Sequence, residues 1–413
     1  MITKEEFEKL IDKKLIEEEG KLVYDGNLGL SFRTDITELP DNLKVLGYLT
    51  IKKSGVTKLP KGLEVGCFLE ISETGIEELP EDTMLDGSLY VNDMKKPFSF
   101  PRVLKVNGYF NCKNTTIKRM PEKLYTEDDC NFSGCTFDKL PNVMENRFGL
   151  YLNDTAITEM PEGLKEVYGN FEISNTKLTK LNDNLVVYNS IFLCNTQIEE
   201  LPKGLIVGSW LNLCGTKLRD YSNLHKFSPR FIVDEKKYKE IKDSLIKYEI
   251  SYDDGDVIFV TFEPNYKGAY LFENKNGKYI DVDGIFGKIV EQKGNVYHIR
   301  LRNHKYITYL VTDGEGHWAH GGNLEGAKDD LLYKITDRNK SDYENLTLDS
   351  ELSFEDAIMC YRVITGACSF GTRDFIKNRL GNNKKDKYTI KEIIELTEGE
   401  YGNTTFKNFF CKD

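Results

Sequence analysis

The chain has 413 residues, more than one ordinary core accommodates, and 39% of them are apolar, so the composition favours two or three domains and excludes wholesale disorder. A net charge of −11 excludes a protein that holds DNA or anionic lipid by bulk charge. No apolar run is long enough for a transmembrane helix, and the first residues lack the apolar segment of a signal peptide.

The nine cysteines show no Cys-x-x-Cys spacing, so the sequence contains neither a zinc-ribbon motif nor a thioredoxin-like motif. Free thiols are typical of a reducing compartment. We therefore expect a cytoplasmic protein.

The N-terminal segment predicts a helix. Residues Lys4–Glu18 place Phe7, Leu10, Ile11 and Leu15 on one helical face. We assign residues 1–25 to a helical cap for the repeats that follow.

A Leu-Pro dipeptide, or a close variant, then returns every 20 or 21 residues. Eight of the 11 prolines occupy this slot, namely Pro40, Pro60, Pro80, Pro101, Pro121, Pro141, Pro161 and Pro202. Apolar pairs two residues apart, such as Leu49/Ile51 and Leu69/Ile71, repeat with the same period and predict short strands. Because a unit of about 20 residues cannot bury its own apolar face, we predict a solenoid over residues 26–228.

The combined pattern, apolar-x-apolar-x-x-(Thr/Ser/Cys)-x-apolar-x-x-Leu-Pro, resembles the leucine-rich repeat over about residues 26–224. The similarity is to the short bacterial or phage class with Leu-Pro in the return segment. It implies a curved stack with parallel strands on the concave face and extended or 3₁₀ segments on the convex face. The family commonly has Asn where this chain has Thr, Ser or Cys, and a hydroxyl can bond the neighbouring backbone in its place. An extra residue before Phe98 predicts a local bulge.

Residues that flank the inward-facing pairs are expected to point to solvent on the concave face. A nucleic-acid groove would need Lys and Arg there, whereas aromatic and amide side chains are typical of protein interfaces. We therefore predict a protein partner, with no nucleic acid and no membrane bound. The predicted binding residues are Tyr48, Thr50, Phe68, Glu70, Tyr90, Asn92, Tyr109, Asn111, Asn131, Tyr151, Asn153, Glu172, Phe192, Trp210 and Asn212.

The second half has a different pattern, and we assign residues 229–336 to an α+β domain. Residues 230–250 predict a helix that begins near Asp234, and Asn323–Lys334 predicts another. Between them lie six predicted strands of a small antiparallel sheet or barrel: Val257–Phe262, Ala269–Phe272, Tyr279–Val282, Ile285–Val290, Val296–Leu301 and Tyr306–Val311.

A polar linker over residues 337–352 precedes a helical domain over residues 353–413. Ser353 is a predicted N-cap, and Thr389 with Glu392 forms a predicted capping box. Two further helices are predicted around Thr372–Leu380 and Thr404–Phe410. The predicted fold class is α+β: a solenoid, a small antiparallel β domain and a C-terminal helical segment.

The stretch Val311–Ala327 resembles, as a local ββα unit, the antitoxin half of HicA/HicB-type pairs, although it lacks the Pro-Gly of that family. The C-terminal half as a whole resembles only uncharacterised bacterial and phage proteins, which implies no activity.

Two features of the second half are candidates for chemistry, a group of acidic and histidine side chains and one cysteine. Asp313, Glu315, His317 and His320, with His298 and His304 on nearby strands, are the metal candidates. The spacing of His317 and His320 puts them on opposite faces of a strand, so solvated turn residues are the preferred interpretation and we predict no metal or cofactor.

Cys368 precedes a predicted helix, where a thiol can become a nucleophile. Bacterial ubiquitin ligases join Leu-Pro repeats to a helical domain that begins with Cys-x-Asp. Here the second half begins with a sheet, and the Cys-x-Asp is Cys411-Lys-Asp413 at the end. A buried structural thiol is therefore preferred.

Our leading hypothesis is a non-enzymatic bacterial or phage interaction protein that uses the concave face, for instance in regulation, counter-defence or host targeting. The alternatives are an effector enzyme or toxin/antitoxin-like module with its activity in residues 250–413, and a structural subunit of a larger assembly such as a phage.

Overall fold

A computed structural model describes residues 2–245, 247–253, 256–302, 305–335, 339–367, 369–381 and 383–411. It divides into two compact units. The first comprises Met1–Glu263 with Asn274–Asn276, and the second comprises Pro264–Glu273 with Gly277–Asp413.

The first unit contains a parallel-strand solenoid of about ten coils, as the spacing predicts. One strand of each coil joins a 13-stranded sheet, and neighbouring coils pair in register, with Leu49 opposite Leu69 and Leu69 opposite Leu89. In sheet order its strands are Leu28–Gly29, Leu49–Thr50, Leu69–Glu70, Leu89–Tyr90, Phe110–Asn111, Cys130–Asn131, Leu150–Tyr151, Phe171–Glu172, Ile191–Phe192, Trp210–Asn212, Arg230–Asp234, Val257–Phe262 and Tyr248–Asp253.

The return segments are extended and form short ladders of their own. The strands of these smaller sheets are Ile16–Glu18, Lys21–Tyr24, Leu43–Val45, Glu64–Val65 and Met84–Leu85; Val103–Val106, Lys123–Thr126 and Val143–Asn146; Glu166–Val167, Val186–Val187 and Ile206–Val207; and Phe98–Ser99 with Ile117–Arg119. The pairing of the last two shifts register between Phe98 and Ser99, which confirms the predicted bulge.

Several coils have a buried polar side chain in the turn that follows the strand. The buried hydroxyls of Thr155, Thr176 and Thr196 donate to the carbonyl three residues earlier at 2.8–2.9 Å. The Cys135 thiol occupies the equivalent position in its coil, but it donates to the carbonyl of Cys112 in the preceding coil at 2.7 Å. Thr and Cys therefore satisfy buried backbone carbonyls at the position where the resembled family commonly has Asn.

The N-terminal cap differs in detail from the predicted helix. Helix α1 (Lys4–Ile11) starts at a Thr3–Glu6 capping box and ends at Asp12, whose φ of 51° is left-handed, instead of at Glu18. The Glu8 carboxylate accepts the Leu15 N–H at 2.8 Å, and Leu15 therefore does not take part in a helical hydrogen bond. The next residues form a hairpin, Ile16–Glu18 with Lys21–Tyr24, that extends the first return sheet.

The predicted helix over residues 230–250 is largely wrong. Arg230–Asp234 is a strand parallel to Trp210–Asn212, because its apolar run is buried by stacking on the last coil. Only α2 (Glu235–Ile241) and a 3₁₀ turn at Lys242–Ser244 are helical. An antiparallel hairpin, Tyr248–Asp253 with Val257–Phe262, then completes the sheet, so the first unit continues to Glu263.

The second unit contains a six-stranded sheet in sequential order, antiparallel from its second strand onward. Its strands are Tyr270–Asn274, Gly277–Val282, Ile285–Lys293, Val296–Leu301, Thr308–Thr312 and Trp318–Gly321. The sequence predicts four of these within a few residues and Val296–Leu301 at its observed bounds, but it misses Trp318–Gly321. The predicted strand Val257–Phe262 forms, but in the first unit's sheet. Helix α3 (Leu324–Ile335) follows the sheet.

The C-terminal segment is only modestly helical. It comprises α4 (Phe354–Thr365), α5 (Ser369–Phe375), a π turn at Ile376–Leu380, α6 (Ile390–Leu396), α7 (Asn403–Phe410), a 3₁₀ turn at Ser341–Tyr343 and the strand pair Glu351–Ser353 with Lys387–Thr389. The predicted Ser353 cap and the Thr389–Glu392 capping box are both confirmed. Buried Asp330 of α3 forms an ion pair with Arg362 of α4 at 2.9 Å. Both helices belong to the same unit as the sheet.

No helix in the described parts of the chain is long and apolar enough to cross a membrane.

Candidate functional site

One side of the 13-stranded sheet is lined by side chains that point away from the solenoid core. We call this side the strand face. Along each strand the side chains alternate: Leu49 and Ile51 are fully buried, whereas Thr50 and Lys52 are half-buried. All fifteen predicted binding residues alternate with the core in this way and lie on the strand face; fourteen are half-buried and Asn131 is buried.

Four rings from consecutive coils form a continuous row, Tyr48–Phe68–Tyr90–Tyr109, which we call the aromatic row. The Tyr48 and Phe68 rings stack with their centroids 4.6 Å apart. Phe68 meets Tyr90 edge to face at 5.9 Å, and Tyr90 meets Tyr109 at 5.8 Å. Each ring is fixed by its neighbours, so the row presents a rigid apolar surface on regular strands.

A polar groove of about 600 Å³ continues the strand face beyond the aromatic row. Its lining residues are Lys113, Asn114, Asn131, Ser133, Gly134, Tyr151, Asn153, Asp154 and Glu172.

The amides of this groove are held by the backbone. Asn131 accepts the Ser133 N–H at 2.9 Å, and Asn153 accepts the Ser174 N–H at 2.8 Å. Asn153 also donates to the Glu172 carboxylate at 2.7 Å. The groove is therefore preorganised: its hydrogen-bonding atoms keep their positions without a ligand.

Two tyrosines beside the groove stay protonated at neutral pH. Burial, together with the carboxylates of Asp129 and Glu172, raises the pKa of Tyr151 to about 12. Burial also raises the pKa of Tyr109, with Asp129 adding to the effect. The Tyr151 hydroxyl lies 3.4 Å from an Asp129 carboxylate oxygen, to which it donates. The Tyr151 phenol therefore keeps its proton on the Asp129 side at neutral pH, and its oxygen can still accept a hydrogen bond.

The far end of the strand face has aromatic residues that the sequence analysis missed. The Trp210 ring meets Phe259 at 5.4 Å, and Phe259 meets Tyr252 at the same distance. Arg230 lies 6.0 Å above the Trp210 ring. The alternation in Val257–Phe262 puts Phe259 on one face, but its pairing with Ile232 depends on a chain reversal that no sequence pattern specifies.

The metal candidates of the second unit are not brought together. The His317 Nδ1 lies 2.6 Å from an Asp313 carboxylate oxygen, and both lie in an exposed turn. His320 is fully buried, whereas His298 pairs with Glu291 at 2.8 Å. Within the described residues no group of three or more potential ligands could hold a metal ion.

Two of the candidate residues, His304 and the thiol candidate Cys368, lie outside the described residues. Cys411 of the Cys-x-Asp motif is exposed.

The first unit is therefore a repeat protein of the parallel-strand solenoid class, with an ordered aromatic and polar surface along one face of its sheet. Comparisons with protein-family models, with curated proteins and with solved structures give no match for this chain.

Proposed function

We propose that the strand face binds another protein, and that the chain is a non-enzymatic recognition protein whose solenoid is of the leucine-rich-repeat type. The observation that carries the proposal is the aromatic row, four adjoining half-buried rings held on consecutive strands. Aromatic side chains are enriched at the energetic centres of protein interfaces, because they bury much area with little loss of side-chain freedom.

The polar groove supports the same proposal. Its amides and phenols are already held by the backbone or by carboxylates, so a partner would lose little free energy in ordering them. Asp129 and Glu172 place negative charge beside these donors, and Lys113 supplies a positive group. We therefore expect a partner that covers the aromatic row with apolar side chains and reaches the groove with amide, hydroxyl or charged groups.

The free state of every described cysteine supports a location in a reducing compartment, and the proposal places the protein in the cytoplasm of a bacterium or a phage-infected cell.

Replacing three rings of the aromatic row together, Phe68→Ala, Tyr90→Ala and Tyr109→Ala, should abolish capture of the partner. Hot-spot residues contribute about 2 kcal/mol or more each, so the combined loss of affinity should exceed about a hundredfold. The measurement is affinity purification from native lysate with the tagged full chain, followed by titration of the captured protein against purified chain.

Two matched controls separate recognition from simple exposure. Tyr306→Ala removes an 82% exposed ring of the second unit, and Met84→Ala removes a 64% exposed side chain of a return sheet. Both should capture as well as the unsubstituted chain. If the triple variant keeps its circular dichroism spectrum and still captures the same proteins, or if the unsubstituted chain captures none, the proposal is wrong.

A further inference from the structure

Two cysteines face each other on the strand face, in a column that the proposed function does not use. The column runs through Ser174, Cys194 and Cys214, each two residues beyond the end of its strand, and through Asp234, the last residue of the next strand. Both thiols belong to half-buried residues on the solvent side of the sheet.

The pairing of the strands sets the spacing of the two cysteines. Ile191 lies opposite Leu211 and Phe192 opposite Asn212 in parallel register. The ladder continues past the cysteines, because the Asn195 N–H donates to the Cys214 carbonyl at 3.0 Å. Opposed residues in such a ladder have Cα atoms about 4.8 Å apart, inside the range of about 4.4–6.8 Å that a disulfide spans.

The surroundings shift the pKa values of the two thiols in opposite directions. The neighbouring Cys214 thiol and Ser174 hydroxyl lower the pKa of Cys194 to about 7, although burial opposes the change. The same contact and burial raise the pKa of Cys214. Cys194 is therefore the more acidic thiol of the two, while Cys214 remains a thiol beside it at neutral pH.

We propose that Cys194 and Cys214 form a peroxide-sensitive dithiol that closes reversibly into an intramolecular disulfide on the strand face. The Cys194 thiolate attacks one oxygen of a hydroperoxide, the O–O bond breaks, and a sulfenic acid forms with release of hydroxide or alkoxide. The Cys214 sulfur then attacks the Cys194 sulfur, and the S–O bond breaks as the S–S bond forms. With hydrogen peroxide, two thiols and one peroxide give one disulfide and two molecules of water.

A second pair of cysteines provides a control in the same chain. The sulfurs of Cys112 and Cys135 are 3.9 Å apart, but both residues are buried in the core. Burial raises the pKa of the Cys112 thiol. The contact with Cys112 lowers the pKa of Cys135, so this pair has both proximity and one more acidic thiol, and it differs from Cys194 and Cys214 in lacking exposure to the oxidant.

The test is a thiol map of the reduced, folded full chain after treatment with equimolar hydrogen peroxide at pH 7. Trypsin can cut at Lys203, which separates Cys194 from Cys214, so a disulfide joins two otherwise separate peptides. We expect the Cys194–Cys214 linkage as the main product, its loss on treatment with dithiothreitol, and reduced Cys112 and Cys135. Cys194 should react faster than the exposed Cys67, because the neighbouring Cys214 and Ser174 groups lower the pKa of Cys194.

Single variants separate the two roles. Cys214→Ser should stop at a sulfenic acid on Cys194 that dimedone traps, and Cys194→Ser should leave Cys214 unmodified. Absence of the linkage in the unsubstituted chain, or equal reactivity of Cys194 and Cys67, would overturn the proposal. None of these readouts depends on a protein partner, so they stand apart from the proposed recognition function.

Discussion

Replacing Phe110 with alanine should lower the free energy of unfolding of the first unit by about 4 kcal/mol. The side chain is fully buried, and its ring meets Phe100 and Phe132 edge to face at 5.4 Å each. Each coil is stabilised mainly by its neighbours, so a cavity here weakens the stacking on both sides. The measurement is urea unfolding followed by Trp210 fluorescence, in a Trp318→Phe background that leaves one reporter in the first unit.

The matched control is Phe32→Ala, which makes the same chemical change at a ring that is 66% exposed. Its expected cost is below about 1 kcal/mol, because little apolar area leaves a buried environment. Equal losses in the two variants would contradict the assignment of Phe110 to the core between coils.

Acidification from pH 7 to pH 4.5 should destabilise the second unit through His320. The side chain is fully buried, and burial lowers its pKa to about 4, with Lys334 adding to the effect and Asp283 opposing it. In the unfolded chain His320 is protonated below about pH 6.5, whereas in the folded chain it is protonated only below about pH 4. Stability is therefore complete above pH 6.5 and falls as the pH drops through this window, by up to about 3 kcal/mol.

Unfolding by urea at several pH values checks this result. His320→Gln removes the titrating group, so its stability should change less between pH 7 and pH 4.5 than that of the unsubstituted chain. His320→Asn serves the same purpose if the glutamine variant does not fold. Identical pH dependence with and without His320 would show that other groups dominate acid unfolding.

The solenoid was predictable because each coil repeats one apolar pattern at a nearly constant spacing. Register follows from that spacing, since Leu49, Leu69 and Leu89 occupy the same place in successive coils. The exception is at Phe98. In the sequence it is marked by an inserted residue, and in the structure the strand pairing shifts register there. The Thr389–Glu392 capping box was equally predictable, because it depends only on residues three apart.

The missed elements depend on contacts that no local pattern specifies. Arg230–Asp234 becomes a strand because the last coil offers an unpaired edge, although the following residues favour a helix. The predicted N-terminal helix stops early because Glu8 captures the Leu15 N–H. Trp318–Gly321 lies in a stretch rich in Gly, His and Asp that resembles a turn, but its Trp318 is buried in the sheet core.

For the strand face, alternation in the sequence was enough to place all fifteen predicted residues on one side of the sheet. Their role in binding remains the proposal made above. The raised pKa of Tyr151, the groove beside it and the Trp210–Phe259 contact could not be predicted, because each depends on side chains from different strands. Cys194 and Cys214 stand one repeat apart in the sequence, but the sequence analysis did not single them out.

The central claim is that a protein partner sits on the strand face, and site-specific photo-crosslinking in the native cell tests it most directly. A benzophenone amino acid at Tyr109 should form a covalent adduct with a distinct protein, whereas the same group at Tyr306 or Met84 should not. Adducts to the same protein from all three positions, or none from Tyr109 in a folded chain, would contradict the account.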